Sequence, residues 1–298
     1  MALVATASAS PLASPRSHTW SPETTRGGQS VTRSVSARPA VEEAAGEVSP
    51  PPPAAPSGEP MPVGNLPGWR QIFTDDFTRT VPLGSFPGAV SSTWGAYPYP
   101  WRDSPRNGRY HPGKTVSWHD GMADIWLRTE NGEHLVAALA PKINGPNGSA
   151  GQLYGRYAIR FQAESFPGYK AAWLLWPTSE IWPRDGEIDF PEGSFDGLID
   201  AFMHRRGATS GGDQDVHPAG VPFASAWHTA VIEWSPGRVK FFLDGRLVGS
   251  SASRVPNRPM RWVIQNETEN TSTPPPDWSQ GHVFIDWVAV YARASVRW

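Results

Sequence analysis

The chain has 298 residues, a formal net charge of −2 and 18% charged residues. It carries no basic stripe or Lys/Arg run, which excludes nucleic acid as a partner. Cysteine is absent, which rules out disulfides and thiolate chemistry, and no apolar run is long enough to span a bilayer, so no membrane partner is expected.

Residues 1–64 are dominated by Ala, Ser, Pro, Thr and Glu, and VSPPPPAAPSGEPMP (48–62) is a proline-rich, extended stretch. Such a segment cannot bury enough apolar surface to offset its ordering entropy, so it reads as a disordered leader and linker. The opening MALVATASASPLAS has an A-x-A-like pattern but no basic region before it, as in the tail of an export signal or in more of the leader. From residue 65 to 298 the texture changes to aromatic and β-branched residues broken by Gly, Pro and Asp, enough for one β domain with a full core.

Short strand-like runs follow one another along this domain. LYGRYAIRFQAE (153–164) alternates, with Tyr157, Ile159 and Phe161 on one side. AAWLLWP (171–177) is a continuous apolar run, as for a strand covered on both faces. GLIDAFMHRRG (197–207) is another strand. GATSGGDQDVHPAGVPFASA (207–226) shows little structural signal; at ~20 residues it reads as a functional rim or lid, or as a surface insertion. WHTAVIEWSPGRVKFFLDGRLVGSS (227–251) is a meander turning at Ser235-Pro236-Gly237-Arg238 and Asp244-Gly245. MRWVIQNETE and HVFIDWVAVYAR close the domain. The pattern predicts an all-β fold, a sandwich or jelly roll.

GEIDFPEG (186–193) departs from strand alternation. Period two places Glu187 and Asp189 on one face and calls next for residue 191, which is Pro. Glu192 joins its two predecessors only if the strand carries an extra residue, a β-bulge around Phe190-Pro191, where a residue lacking an N–H is tolerated. Four effective steps then separate the α-carbons of Glu187 and Glu192 by roughly 13 Å. Inward-leaning side chains would reduce the carboxyl separation to about 5–6 Å, and Asp189 would fit between them.

Three close carboxylates cannot all ionise cheaply, so one retains a proton beside an anionic neighbour, as double-displacement glycoside cleavage requires. The same residues would also suit a calcium or magnesium site, or a solvated edge that discourages aggregation. Fifteen tryptophans in the chain supply apolar faces for sugar rings. Trp182, just before the cluster, reads as a stacking residue. Trp173 and Trp176 divide between core packing and sugar contact. His204 shares a strand face with Asp200 and Phe202 and would reach the carboxylates if its strand lies next to theirs. Gln265 and Asn266 end an apolar strand and are candidates to orient hydroxyls.

Trp182-Pro183 followed by GEIDFPEG resembles the active-site signature of family 16 glycoside hydrolases. IFTDDF, LYGRYAIRF, AAWLLWP, WHTAVIEWSPG with FFLDG, and FIDWVAVYA are similar to further strands of that family in the same order. The resemblance implies a concanavalin A-like β-jelly roll with a concave sugar cleft. By position it makes Glu187 the nucleophile, Glu192 the acid/base and Asp189 the assisting carboxylate, with Trp182, Trp173, His204 and Gln265 as substrate-binding candidates. Two departures are visible: Ala158 stands where many members carry a glutamate, and Gln265-Asn266-Glu267-Thr268 does not run into a glycine-rich turn.

The implied activity is retaining endo-hydrolysis of β-1,3 or mixed β-1,3/1,4 glucan. A transglycosylase and a non-catalytic carbohydrate-binding module on the same fold are the alternatives. Catalysis would need no cofactor. A structural calcium between the termini is implied, with Asp75, Asp76 and Asp286 as candidate ligands. The expected partner is a β-glucan polysaccharide, which implies secretion, and the expected state is a monomer.

Overall fold

The computed structural model describes residues 55–143, 151–224 and 226–294. In chain order its strands are β1 (Trp69–Asp75), β2 (Trp94–Ala96), β3 (Gly108–Tyr110), β4 (Val116–His119), β5 (Met122–Glu130), β6 (Glu133–Pro141), β7 (Gly155–Ala163) and β8 (Tyr169–Pro177). They continue as β9 (Glu187–Ser194), β10 (Leu198–His204), β11 (Gln214–Pro222), β12 (His228–Ser235), β13 (Arg238–Leu243), β14 (Arg246–Ser251), β15 (Met260–Thr268) and β16 (Gly281–Arg293). The fold is all-β, a jelly-roll sandwich, as the alternating runs and closely spaced turns predict.

Two layers face each other. The front layer runs β11-β10-β9-β8-β15-β6, with β2 against β6. The back layer runs β14-β13-β12-β7-β16, where β16 also pairs with β1 and β5. The chain crosses between layers in the β5–β6 hairpin, whose turn residues Asn131 and Gly132 both have positive φ, the conformation a two-residue hairpin needs. At the opposite margin β11 lies beside β14, and the imidazole of His217 fits against Gly249 and meets the Ser251 hydroxyl at 3.0 Å.

Alternation sorts the side chains. Trp173, Leu175, Ile188, Phe190, Met203, Trp262 and Ile264 point from the front layer into the core, where they meet Tyr157, Ile159, Phe161, Trp234 and Phe241 from the back. Aromatic pairs join the layers, with Phe161 against Trp173 at 4.9 Å and Phe190 against Phe241 at 5.6 Å.

Two readings of the sequence are revised here. The stretch 207–226 is not an unstructured loop, because β11 occupies Gln214–Pro222 within it. Pro218 and Pro222 hid the strand, and an edge position tolerates them because one side of β11 has no ladder to serve. Part of the proline-rich linker is also packed. The Ser57 amide donates to Asp286, the Glu59 carbonyl accepts from the Trp287 indole, and Met61 covers an apolar patch formed by Ala158, Trp287 and Tyr291. Residues 1–54 of the expected leader lie outside the described residues.

Candidate active site

The acidic strand is central to the front layer, between β8 and β10. Across to β8, Asp189 lies opposite Leu174 and Glu192 opposite Ala172. Across to β10, Asp189 lies opposite Phe202 and Glu192 opposite Asp200. Both neighbours take two residues where β9 takes three, so the extra residue sits at Phe190-Pro191. Phe190 turns into the core, and Glu192 returns to the outer, concave face with Glu187 and Asp189. Two glycines bracket the strand. Gly193 has φ +154° and a Cβ there would sit 2.1 Å from the Leu198 carbonyl oxygen, while a Cβ at Gly186 would sit 2.7 Å from that of His204. Only residues without side chains let β9 approach β10 this closely at both ends.

The carboxyl side chains retain graded access to solvent, 10% for Glu187, 3% for Asp189 and 19% for Glu192. Burial, followed by the charge of Asp189, raises the Glu187 pKa well above the ordinary glutamate value. Burial, followed by the charge of Glu192, does the same for Asp189. The charge of Asp189 thus opposes ionisation of Glu187, as expected where two carboxyl groups stand side by side in a buried setting. His204 Nε2 lies 3.3 Å from Asp189 and 3.8 Å from Glu187. Its Nδ1 contacts the Gly211 carbonyl oxygen at 2.8 Å, and because a carbonyl only accepts, Nδ1 carries a hydrogen. The turn before β11 therefore orients the histidine that faces the carboxylates.

Sequence reasoning missed a second set of charges beside Glu192. The Lys170 ammonium donates to Glu192 at 2.5 Å and lies 4.0 Å from Glu267. Burial alone would depress the amine, but Glu192 and Glu267 raise its pKa overall. Glu267 is itself raised to about 7, by burial against the opposing pull of Lys170. It accepts the Ser104 amide at 3.2 Å, and the neighbouring Asp103 accepts both the amide and the hydroxyl of Thr268. These bonds tie the segment around residues 97–110 to the end of β15. The available signal was parity: Lys170 is a lone charge in an apolar strand, in phase with Ala172, Leu174 and Trp176 on the concave face.

The aromatic candidates separate. Trp182 is half-buried on the concave side, stacked on Trp176 at 6.2 Å and edge-on to His204 at 5.9 Å. Trp173 is not available to a ligand. It is fully buried between the layers and its indole donates to Asn266. Trp173 is in phase with Leu175, whereas Trp176 is in phase with Leu174 and faces the trough, where its indole donates to Glu180. Gln265 lies on the concave face opposite Ala172 and donates to Glu267. Asn266 points into the core.

The suggested calcium ligands do not gather. Asp75 accepts from the Trp94 indole and the Phe77 amide, Asp76 from the Thr78 hydroxyl, and Asp286 from the Ser57 amide. Among the described residues, the one set of three that converges to metal-ligand distances is Glu187, Asp189 and His204. No helix among them is long and apolar enough to cross a membrane.

Comparison with known proteins adds relatives to this geometry. A model of "Glycosyl hydrolases family 16" matches residues 116–289. A "Beta-glucanase" of Rhodothermus marinus is 31% identical over 131 residues, 40% of this chain and 43% of that protein. A "Beta-glucanase" of Bacillus subtilis is 26% identical over 141 residues, 44% of this chain and 56% of that protein. The "Glucan endo-1,3-beta-glucosidase A1" of Niallia circulans is 26% identical over 166 residues, 46% of this chain and 24% of that protein. The chain thus matches between 24% and 56% of the length of these curated relatives. Among solved structures, a laminarinase from Rhodothermus marinus shares the fold with a TM-score of 0.61 at 21% identity, over 78% of this chain and 100% of that one.

Proposed function

The chain belongs to glycosyl hydrolases family 16, and from that premise we propose that it is a retaining endo-glycosidase that hydrolyses β-1,3 or mixed β-1,3/1,4 glucan by double displacement. One observation carries the reading: the bulge at Phe190-Pro191 turns Glu192 onto the same concave face as Glu187 and Asp189.

In this mechanism Glu187 attacks the anomeric carbon. It must do so as a carboxylate. Glu192 protonates the departing glycosidic oxygen, then removes a proton from the water that releases the glycosyl-enzyme. Lys170 occupies its Oε1, which leaves Oε2 for the leaving group. Trp182 and Trp176 present indole faces to sugar rings beside this point. The substrates are extracellular polymers, so the reading includes secretion. It uses no metal, and turnover should survive dialysis against EDTA.

The purified chain should release reducing ends from laminarin or lichenan, with the β-anomer appearing first by NMR. Glu187→Gln should lower turnover by about a thousandfold or more while leaving polysaccharide binding in place. Glu192→Ala should lose most on substrates with poor leaving groups and regain activity with azide. Undiminished hydrolysis by Glu187→Gln would sink the assignment, and products longer than the starting oligosaccharide would assign transfer to sugar instead of water.

A further inference from the structure

We propose that Glu187, Asp189 and His204 form a binding site for a borderline transition-metal dication, with Zn²⁺ the best match, and that the ion occupies the place of substrate. The binding claim rests on geometry alone. The consequence for catalysis rests on the glucanase reading above.

Asp189 is 2% exposed, and its Oδ2 makes no hydrogen bond although His204 Nε2 lies only 3.3 Å away. Asp189 Oδ2 and His204 Nε2 thus stand together from β9 and β10, with Glu187 Oε2 completing the set 3.8 Å from the same nitrogen. All three candidate ligand atoms lie within 4.8 Å of one another. Bonds of 2.0–2.2 Å in tetrahedral array place zinc ligands roughly 3.3–3.6 Å apart, so small side-chain shifts suffice.

The histidine is prepared as metal-binding histidines are. Its Nδ1–H is directed at the Gly211 carbonyl, which leaves Nε2 as the donor atom and fixes the ring. Calcium and magnesium prefer more oxygen ligands and no imidazole, and cuprous ion prefers thiolate or thioether. One nitrogen and two carboxylates with an open fourth position suit zinc. That open position faces the trough where the anomeric carbon would sit. The other histidine cluster, His119 and His282 around Asp124 on the back layer, has both Asp124 oxygens already engaged by imidazoles.

Calorimetric titration of the full chain with zinc chloride tests the site. It should saturate at one ion per chain below about 100 μM, with magnesium chloride giving no comparable heat. His204→Ala and Glu187→Gln should each weaken binding about tenfold or more, and His282→Ala should leave it unchanged. The isosteric Glu187→Gln keeps the test valid if His204→Ala fails to fold. Unaltered affinity in Glu187→Gln, or no saturable one-to-one event in the native chain, overturns the proposal. Zinc should also inhibit laminarin hydrolysis reversibly with EDTA, and activity untouched at zinc saturation overturns the claim that the ion takes the substrate's place. A chain that binds zinc as described yet cleaves no glucan refutes the hydrolase reading and leaves the metal site standing.

Discussion

Glu267 shows how much a single buried carboxyl can carry. Its pKa, raised to about 7 by burial, stands above the ordinary value of 4.5. A carboxyl with a raised folded-state pKa contributes stability fully present below the unfolded value and lost as pH rises through about 7. The shift corresponds to on the order of 3 kcal/mol. Glu267→Gln keeps an acceptor for the Ser104 amide and removes the charge. Between pH 4.5 and pH 8 the melting temperature of the native chain should therefore fall about 6 °C further than that of the variant. Parallel melting curves across that range would show that Glu267 ionises freely in the fold. Parity explains the other residue-level outcomes. Trp173 and Trp176 look alike in AAWLLWP, but they are three apart, and a strand sends residues at odd separation to opposite faces.

At the scale of the element, β9 combines three devices: a bulge, a proline within it, and a glycine at each end. The bulge was legible because three carboxylates at positions 187, 189 and 192 make sense together only if one residue is looped out. The glycines were not legible as packing residues, because the carbonyls they approach belong to β10. Gly193→Ala brings a methyl group into the Leu198 carbonyl and should cost about 2 kcal/mol or more, read as a lower urea midpoint with an unchanged slope. A variant as stable as the native chain would mean that β10 yields easily. β11 illustrates the reverse case, in which two prolines concealed an edge strand whose preceding turn orients His204.

Over the whole molecule, the segment 55–64 acts as part of the back layer. A fragment starting at residue 65 loses the Ser57–Asp286 and Glu59–Trp287 bonds and uncovers the apolar patch under Met61. Compared with a fragment starting at residue 55, it should melt about 5 °C lower in calorimetry. Equal melting temperatures would show that the segment contributes nothing to the fold. We propose that the chain is a monomer. β11 and β14 lie beside each other and are joined through His217 and Ser251, which covers part of both edges. Sedimentation velocity should give a single species of the chain mass of 32.5 kDa, and a dimer at micromolar concentration would contradict this account.

Local chemistry is what the sequence determined unaided. Period-two alternation gave the all-β class, and the spacing of Glu187, Asp189 and Glu192 gave one shared face and the bulge it requires. These depend on neighbours within a few residues, where strand geometry leaves few choices. Tertiary structure decided which strands stand side by side. It brought Lys170 of β8 to Glu192 of β9 and Glu267 of β15, set His204 against Asp189, and withdrew Trp173 into the core. Those contacts join residues far apart in the chain, and their energies depend on burial, which strand order creates and local pattern does not encode.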